Sequence, residues 1–131
     1  MKSNLNKPLV KRKDDELPPA VIKGMRYHHI GIPTKEKRSG EIYLTDYKMY
    51  VSGFETSEYG IEWMRFDDDS PVADIIQRIP HIAFEVDNLT DAVKDRVLLD
   101  DISSPSKGVR VAMVLEDGAP VEFLEFDKTR G

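Results

Sequence analysis

Residues 26–34 read RYHHIGIPT and residues 80–89 read PHIAFEVDNL, and between them they hold all three histidines of a 131-residue chain. His29 and His81 each open the same phrase: histidine, isoleucine, a small residue, then an apolar one. A second echo closes each half, where GIEWMRF (60–66) matches PVEFLEF (120–126) as apolar-Glu-aromatic-apolar-x-Phe. Glu62 and Glu122 occupy the matching positions. The chain is therefore an internal duplication, and its period organises everything else.

Between these markers the pattern is of short strands. Arg26–Pro33, Glu41–Tyr43, Lys48–Ser52 and Tyr59–Phe66 read as strands of the first half, punctuated by Gly40, Gly53 and Gly60. In the second half His81–Val86, Leu98–Ile102, Val109–Leu115 and Val121–Phe126 read the same way, and Asp117-Gly118 marks a hairpin. Asp87 or Asn88 caps a helix with Leu89, Ala92 and Val93 on its apolar face. His29 and Glu62 are 33 positions apart, against 41 for His81 and Glu122, and the shortfall falls where the second half has this helix. Each half reads β-α-β-β-β, the first helix being reduced to a turn around Lys35–Ser39. Ser70 as N-cap and Pro71 at the first helical position predict a short helix over 70–79 joining modules 25–69 and 80–127. Residues 1–24, with little apolar periodicity and the pair Pro18-Pro19, are expected to be a disordered basic extension to a single domain over 25–131.

Strand parity assigns faces. His29 shares a face with Gly31 and Pro33, while His28 falls with Ile30 and Ile32 on the other. His81 lies with Ala83 and Glu85, opposite Ile82, Phe84 and Val86. Each ligand-type histidine thus stands beside a small residue, with bulky aliphatics behind it. Glu62 falls with Met64 and Phe66, and Glu122 with Leu124 and Phe126. Strand histidines are commonly core residues and strand glutamates commonly face solvent. Two carboxylates inside apolar strands at equivalent repeat positions ask for one shared cause, since burying a carboxylate costs several kcal/mol unless it is paired or binds a metal. His29, Glu62, His81 and Glu122 make an imidazole-plus-carboxylate set suited to one divalent ion: Ni, Co, Zn, Mn or Fe. His28 is then a structural neighbour on the second face.

Composition removes other classes. There is no cysteine, so thiolate metal sites and disulfides are excluded. No run approaches the roughly 20 apolar residues of a spanning helix, and the polar N-terminus has no signal-peptide pattern, so a cytoplasmic location and no membrane partner are expected. Residues 1–24 carry +3 and the remainder −8, which together make the net −5; an acidic body argues against nucleic acid as a partner.

These four motifs, HHIGIPT, GIEWMRF, HIAFEVDNL and DGAPVEFLEF, resemble the vicinal oxygen chelate superfamily of glyoxalases, bleomycin-resistance proteins and dioxygenases, over about residues 25–127. The resemblance implies an α+β fold in which two βαβββ modules, the first helix reduced, form a half-barrel sheet around a concave metal site. The full His, Glu, His, Glu set is closest to that of glyoxalase I; epimerases of the superfamily commonly have Gln at the position of Glu62, and extradiol dioxygenases use two His and one Glu. The short first module departs from glyoxalase I. The expected function is a divalent-metal-dependent isomerase or lyase that moves a proton through an enediolate or enolate of a small oxygen-chelating substrate. The resemblance makes Glu122 the first choice of base and Glu62 the next. Trp63, Phe66 and Phe126 are candidates for an apolar substrate-binding lining. Two other readings compete: a metal-free binding protein for antibiotic-like ligands, and an iron-dependent extradiol-type dioxygenase. Family habit adds a homodimer.

Overall fold

The strands of the two halves assemble into one eight-stranded sheet, in the order β2-β3-β4-β1-β5-β8-β7-β6, in a computed structural model that describes residues 8–127. In chain order they are β1 (Arg26–Pro33), β2 (Ile42–Leu44), β3 (Met49–Ser52), β4 (Ile61–Phe66), β5 (His81–Glu85), β6 (Val97–Leu98), β7 (Val109–Glu116) and β8 (Ala119–Phe126). The order is a palindrome about the β1–β5 seam: four strands of one module meet four of the other. Within each module the first and last strands run parallel, β1 with β4 and β5 with β8, and the seam itself is antiparallel. This is the α+β half-barrel of two βαβββ modules that the repeat and the resemblance imply.

The first module has no helix between β1 and β2. The loop in that place lays polar side chains on the outer face instead. Arg38 stands over the Trp63 ring at 4.7 Å, and Glu41 takes Arg65 in a two-bonded pair of 2.8 Å each, with Arg65 in turn over Tyr50 at 4.0 Å. In the second module α3 (Leu89–Val93) does the covering, started by Asn88, whose side-chain oxygen accepts from the Asp91 N–H at 3.0 Å. Leu89 and Ala92 pack against Val86, Ala112, Val114 and Phe123 to make the main core on the outer face. Asp117 and Gly118 both have positive φ, 51° and 81°, as a two-residue hairpin between β7 and β8 requires.

Three sequence expectations change. The joining helix is shorter than 70–79: α2 spans Asp74–Arg78 and is preceded by Ala73, with no side-chain cap. Ser70 is occupied elsewhere, donating to the Tyr47 carbonyl at 2.6 Å, and Ile79 is extended before Pro80, as the residue before proline prefers. Nor is this segment only a linker. Ile76 is buried with Met49 and Met64, so α2 fills the concave side of the first module. The strand expected over 98–102 is confined to Val97–Leu98; pairing with β7 lapses after Leu99, whose N–H bonds the Met113 carbonyl, and resumes at Ser103 opposite Val111. Residues 100–102 are thereby looped out of the ladder. Of the basic extension, Lys13–Asp15 make a 3-10 turn and Pro19–Ile22 (α1) one helical turn, while residues 1–7 lie outside the described residues. Among the described residues no helix is long and apolar enough to cross a membrane.

Leu89 is fully buried and Val97 is 64% exposed. Leu89→Ala should therefore cost about 2–5 kcal/mol, and Val97→Ala no more than about 0.5 kcal/mol, read as urea midpoints at constant slope. Equal shifts for the two would mean that α3 does not hold the core.

Candidate metal centre

The seam pairs each histidine with the small residue of the other module. His29 lies opposite Ala83 and His81 opposite Gly31. The need for smallness is steric: a Cβ on Gly31 would collide with the His81 ring, lying 2.8 Å from both of its nitrogens. One strand further out the parallel registers bring Gly31 beside Glu62 and Ala83 beside Glu122. The duplication thus places two imidazoles and two carboxylates around the approximate two-fold axis of the sheet.

Three of the four converge. Glu122 Oε1 lies 3.1 Å from His29 Nε2 and 2.9 Å from His81 Nε2, and the donor atoms of His29, His81 and Glu122 all fall within 4.8 Å of one another. Glu62 stands slightly back, its Oε1 at 3.9 Å from His29 Nε2, with its side chain 26% exposed against 12% for Glu122. All the donors come from one chain. The spacing suits a cation: neighbouring ligands at about 2.1 Å from an octahedral ion lie roughly 3.0 Å apart. His81 turns its Nε2 to the cluster, and its Nδ1, on the other side of the ring, has no hydrogen-bond partner among the described residues. The residues present therefore fit a divalent ion held by His29, His81 and Glu122, with Glu62 at its margin.

The electrostatics separate the two carboxylates. Burial by itself would raise Glu122, but hydrogen bonds from His29 and His81, with their charges, outweigh it and hold the carboxyl at about 2. For His29, burial opposes the charged form, yet the hydrogen bond and charge of Glu122, helped by Glu62, lift its pKa above the usual imidazole value. Glu62 is raised, chiefly by burial; the nearby imidazoles draw it back only in part, and the Glu122 charge adds to the rise. One carboxylate is held ionised by its partners, and the other is shifted above the usual carboxylate value.

His28 is not on the opposite face. The β1–β5 register slips between Tyr27 and His29, so His28 is the extra residue of a β-bulge, and parity fails across it. Its Nδ1 lies 2.8 Å from His29 Nδ1, and its ring stacks on Phe54, with centroids 5.1 Å apart and planes 12° apart. A hydrogen bond at Nδ1 leaves the Nε2 of His29 directed to the cluster, the arrangement that orients a metal-binding histidine. Nothing in the local pattern announced the bulge beyond the histidine pair itself.

Above the cluster lies a cavity of about 390 Å³ whose wall includes Glu62, His81 and Glu122. Met49, Met64, Phe66, Ile76, Val111 and Met113 give it an apolar lining drawn from both modules and α2. Of the three aromatic residues expected there, Phe66 takes part. Trp63 does not: it alternates to the outer face, beneath Arg38. Phe126 does not either, packing instead near His28 at 5.5 Å and against the cluster of Ala83, Val109, Val111 and Leu124. The methionines and Ile76 were missed, because their place in the wall depends on how far the sheet curls and on α2 folding into it.

With this geometry in hand, comparison with known proteins adds the following. No protein-family model and no curated protein matches the sequence. Among solved structures, a hypothetical protein from Bacillus halodurans C-125 aligns over 82% of this chain and 99% of its own, at 20% identity and a TM-score of 0.63. At that identity the likeness establishes a shared fold and nothing about chemistry. Methylmalonyl-CoA epimerase from Mycobacterium tuberculosis aligns over 87% of this chain and 95% of its own, at 15% identity and a TM-score of 0.46, too loose a match to bear on function.

Two outcomes follow from the site. Gly31→Ala should displace the His81 ring and shift its ring-proton resonances while far-ultraviolet circular dichroism stays the same; unmoved resonances would show that the ring has room to spare. The second outcome concerns pH. A raised His29 contributes stability that is complete below 6.5 and lost as pH climbs through its folded value, whereas Glu122, lowered from 4.5 to about 2, contributes stability that is complete above 4.5 and lost as pH falls toward 2. The stability gap between metal-free wild type and Glu122→Gln should accordingly be widest between pH 4.5 and 6.5 and narrow on both sides, as measured by urea titrations. A gap that does not vary with pH would contradict the pairing.

Proposed function

We propose that this protein is a divalent-metal-dependent enzyme of the isomerase or lyase type, glyoxalase-like in the four residues gathered at its centre, acting on a small substrate that chelates through neighbouring oxygens. The observation that carries the reading is the convergence of His29, His81 and Glu122 beside an apolar cavity that His81 and Glu122 line, with a second carboxylate, Glu62, also on its wall, held apart from them and raised in pKa. An ion bound there supplies Lewis-acid stabilisation of the charge that develops on the substrate oxygens when an α-proton leaves.

The chain's own residues divide the remaining work. Glu122 is engaged by both imidazoles, its Oε1 3.1 and 2.9 Å from their Nε2 atoms, and belongs to the tight donor set. We assign it to the ion. Glu62 suits proton transfer: it faces the cavity, is not locked by a hydrogen bond to either histidine, and has a pKa moved toward the working range. This reverses the order that the family resemblance implies for the two glutamates. His28 keeps His29 oriented, and the apolar wall excludes water from the transferred proton.

One specific observation favours a second reading. The tight set is two histidines and one glutamate, the facial triad of iron-dependent oxygenases, and in a dioxygenase Glu62 would have no catalytic role. Metal analysis and Glu62→Gln separate the two. Under the leading reading the purified protein takes up about one equivalent of Ni, Co, Zn, Mn or Fe, and His29→Ala/His81→Ala takes up none. Glu62→Gln keeps the metal but loses α-proton exchange into D2O about 10²-fold or more, followed by proton NMR on a panel of α-hydroxyketones. Oxygen consumption by the iron form, undiminished in Glu62→Gln, would replace this reading with the dioxygenase. A wild-type protein that takes up none of these ions would leave a metal-free binding module.

A further inference from the structure

The cavity has a rim as well as a floor. Asp46, which follows β2, and Asp100 and Asp101, in the segment looped out between β6 and Ser103, are exposed residues that line it from opposite modules. Among the described residues no lysine or arginine lines it. Two cations close to it in sequence are engaged elsewhere: Lys48 pairs with Asp69 at 2.6 Å, and Arg65 with Glu41 on the outer face. Between rim and floor the wall is mainly apolar, interrupted by the Tyr47–Ser103 hydroxyl pair at 2.8 Å, in which each oxygen already has a partner.

Above an ion held on the floor, an acidic group of a substrate meets three carboxylates at the entrance, Glu62 within, and no lysine or arginine in the wall to compensate for lost hydration. Burying a charge without a partner is unfavourable, and like charges repel at these separations. An acidic mouth, by contrast, raises the local concentration of cations. We propose that the site selects uncharged or cationic substrates, molecules with an oxygen-chelating head, an apolar body of a size that about 390 Å³ encloses, and no acidic group. Acyl-coenzyme A thioesters and glutathione conjugates, which carry phosphates or carboxylates, lie outside that class.

This inference rests on the metal-site reading above, and the experiment keeps the two apart. Protein loaded with Ni²⁺, its metal content verified before and after dialysis, is titrated calorimetrically with three chelators of similar size: benzohydroxamate, its 4-aminomethyl derivative (cationic) and its 4-carboxy derivative (anionic). The expected order is cationic, then neutral, then anionic, with roughly a tenfold or greater spread between the extremes at low salt, shrinking as salt rises. In the Asp46→Asn/Asp100→Asn/Asp101→Asn variant, metal content stays the same and the spread collapses to about twofold or less. Anionic binding as tight as cationic, or an order that persists in the triple variant, overturns the charge selection while leaving the metal site intact. Failure of the wild type to take up Ni²⁺ overturns both.

Discussion

One carboxylate oxygen shared by two imidazoles is the interaction on which the site depends. Glu122 Oε1 sits within hydrogen-bonding distance of His29 and of His81, which arrive on antiparallel strands from opposite halves of the chain. Neither module builds this cluster alone. It also explains why a buried acid is tolerated at the centre of an apolar sheet: taking the carboxylate out of water is unfavourable by several kcal/mol, and two charged or partly charged donors offset that. A divalent ion held by the same three residues would supply that compensation in its turn.

The duplication repeats the strand order and is unequal in detail, and the inequalities set the two glutamates apart. The strand registers repeat, Gly31 beside Glu62 and Ala83 beside Glu122, so both halves present the same pair of side chains to the centre. Yet Glu122 is gripped by both histidines while Glu62 stands back from them, which gives two identical side chains opposite pKa shifts. The outer faces diverge too. The second module covers its sheet with α3, and the first, without a helix, uses Arg38 on Trp63 and Glu41 on Arg65.

Local patterns account for much of the architecture. Alternating apolar residues marked the strands to within a residue or two in most cases, Asn88 marked the start of α3, and Asp117-Gly118 marked the hairpin. The pairing of His29 and His81 with Glu122 followed from matching two weak motifs across the repeat. The readings of His28 and Ser70 failed for one cause: each treated a segment as regular where a distant partner interrupts it. Parity put His28 on the wrong face because a bulge against β5 inserts it as an extra residue. Trp63 and Phe126 were counted as lining on their aromatic character, although alternation and the packing at the end of β8 send them elsewhere. Ser70 looked like a helix cap, and its hydroxyl is instead engaged by the Tyr47 carbonyl.

By itself the sequence determined the duplicated sheet and the four residues at its centre, since strand periodicity, small residues beside histidines and out-of-place glutamates are all local properties of the chain. Only the tertiary structure decided how those four divide: three within reach of one another, one held back, and the histidine pair joined through Nδ1. The character of the cavity was settled there too, through the fold-back of α2 and the loop at residues 100–102 that carries Asp100 and Asp101 to its rim. The physical reason is that burial and ångström-scale separation set charge and pKa, and both depend on contacts between residues tens of positions apart, which no local pattern encodes.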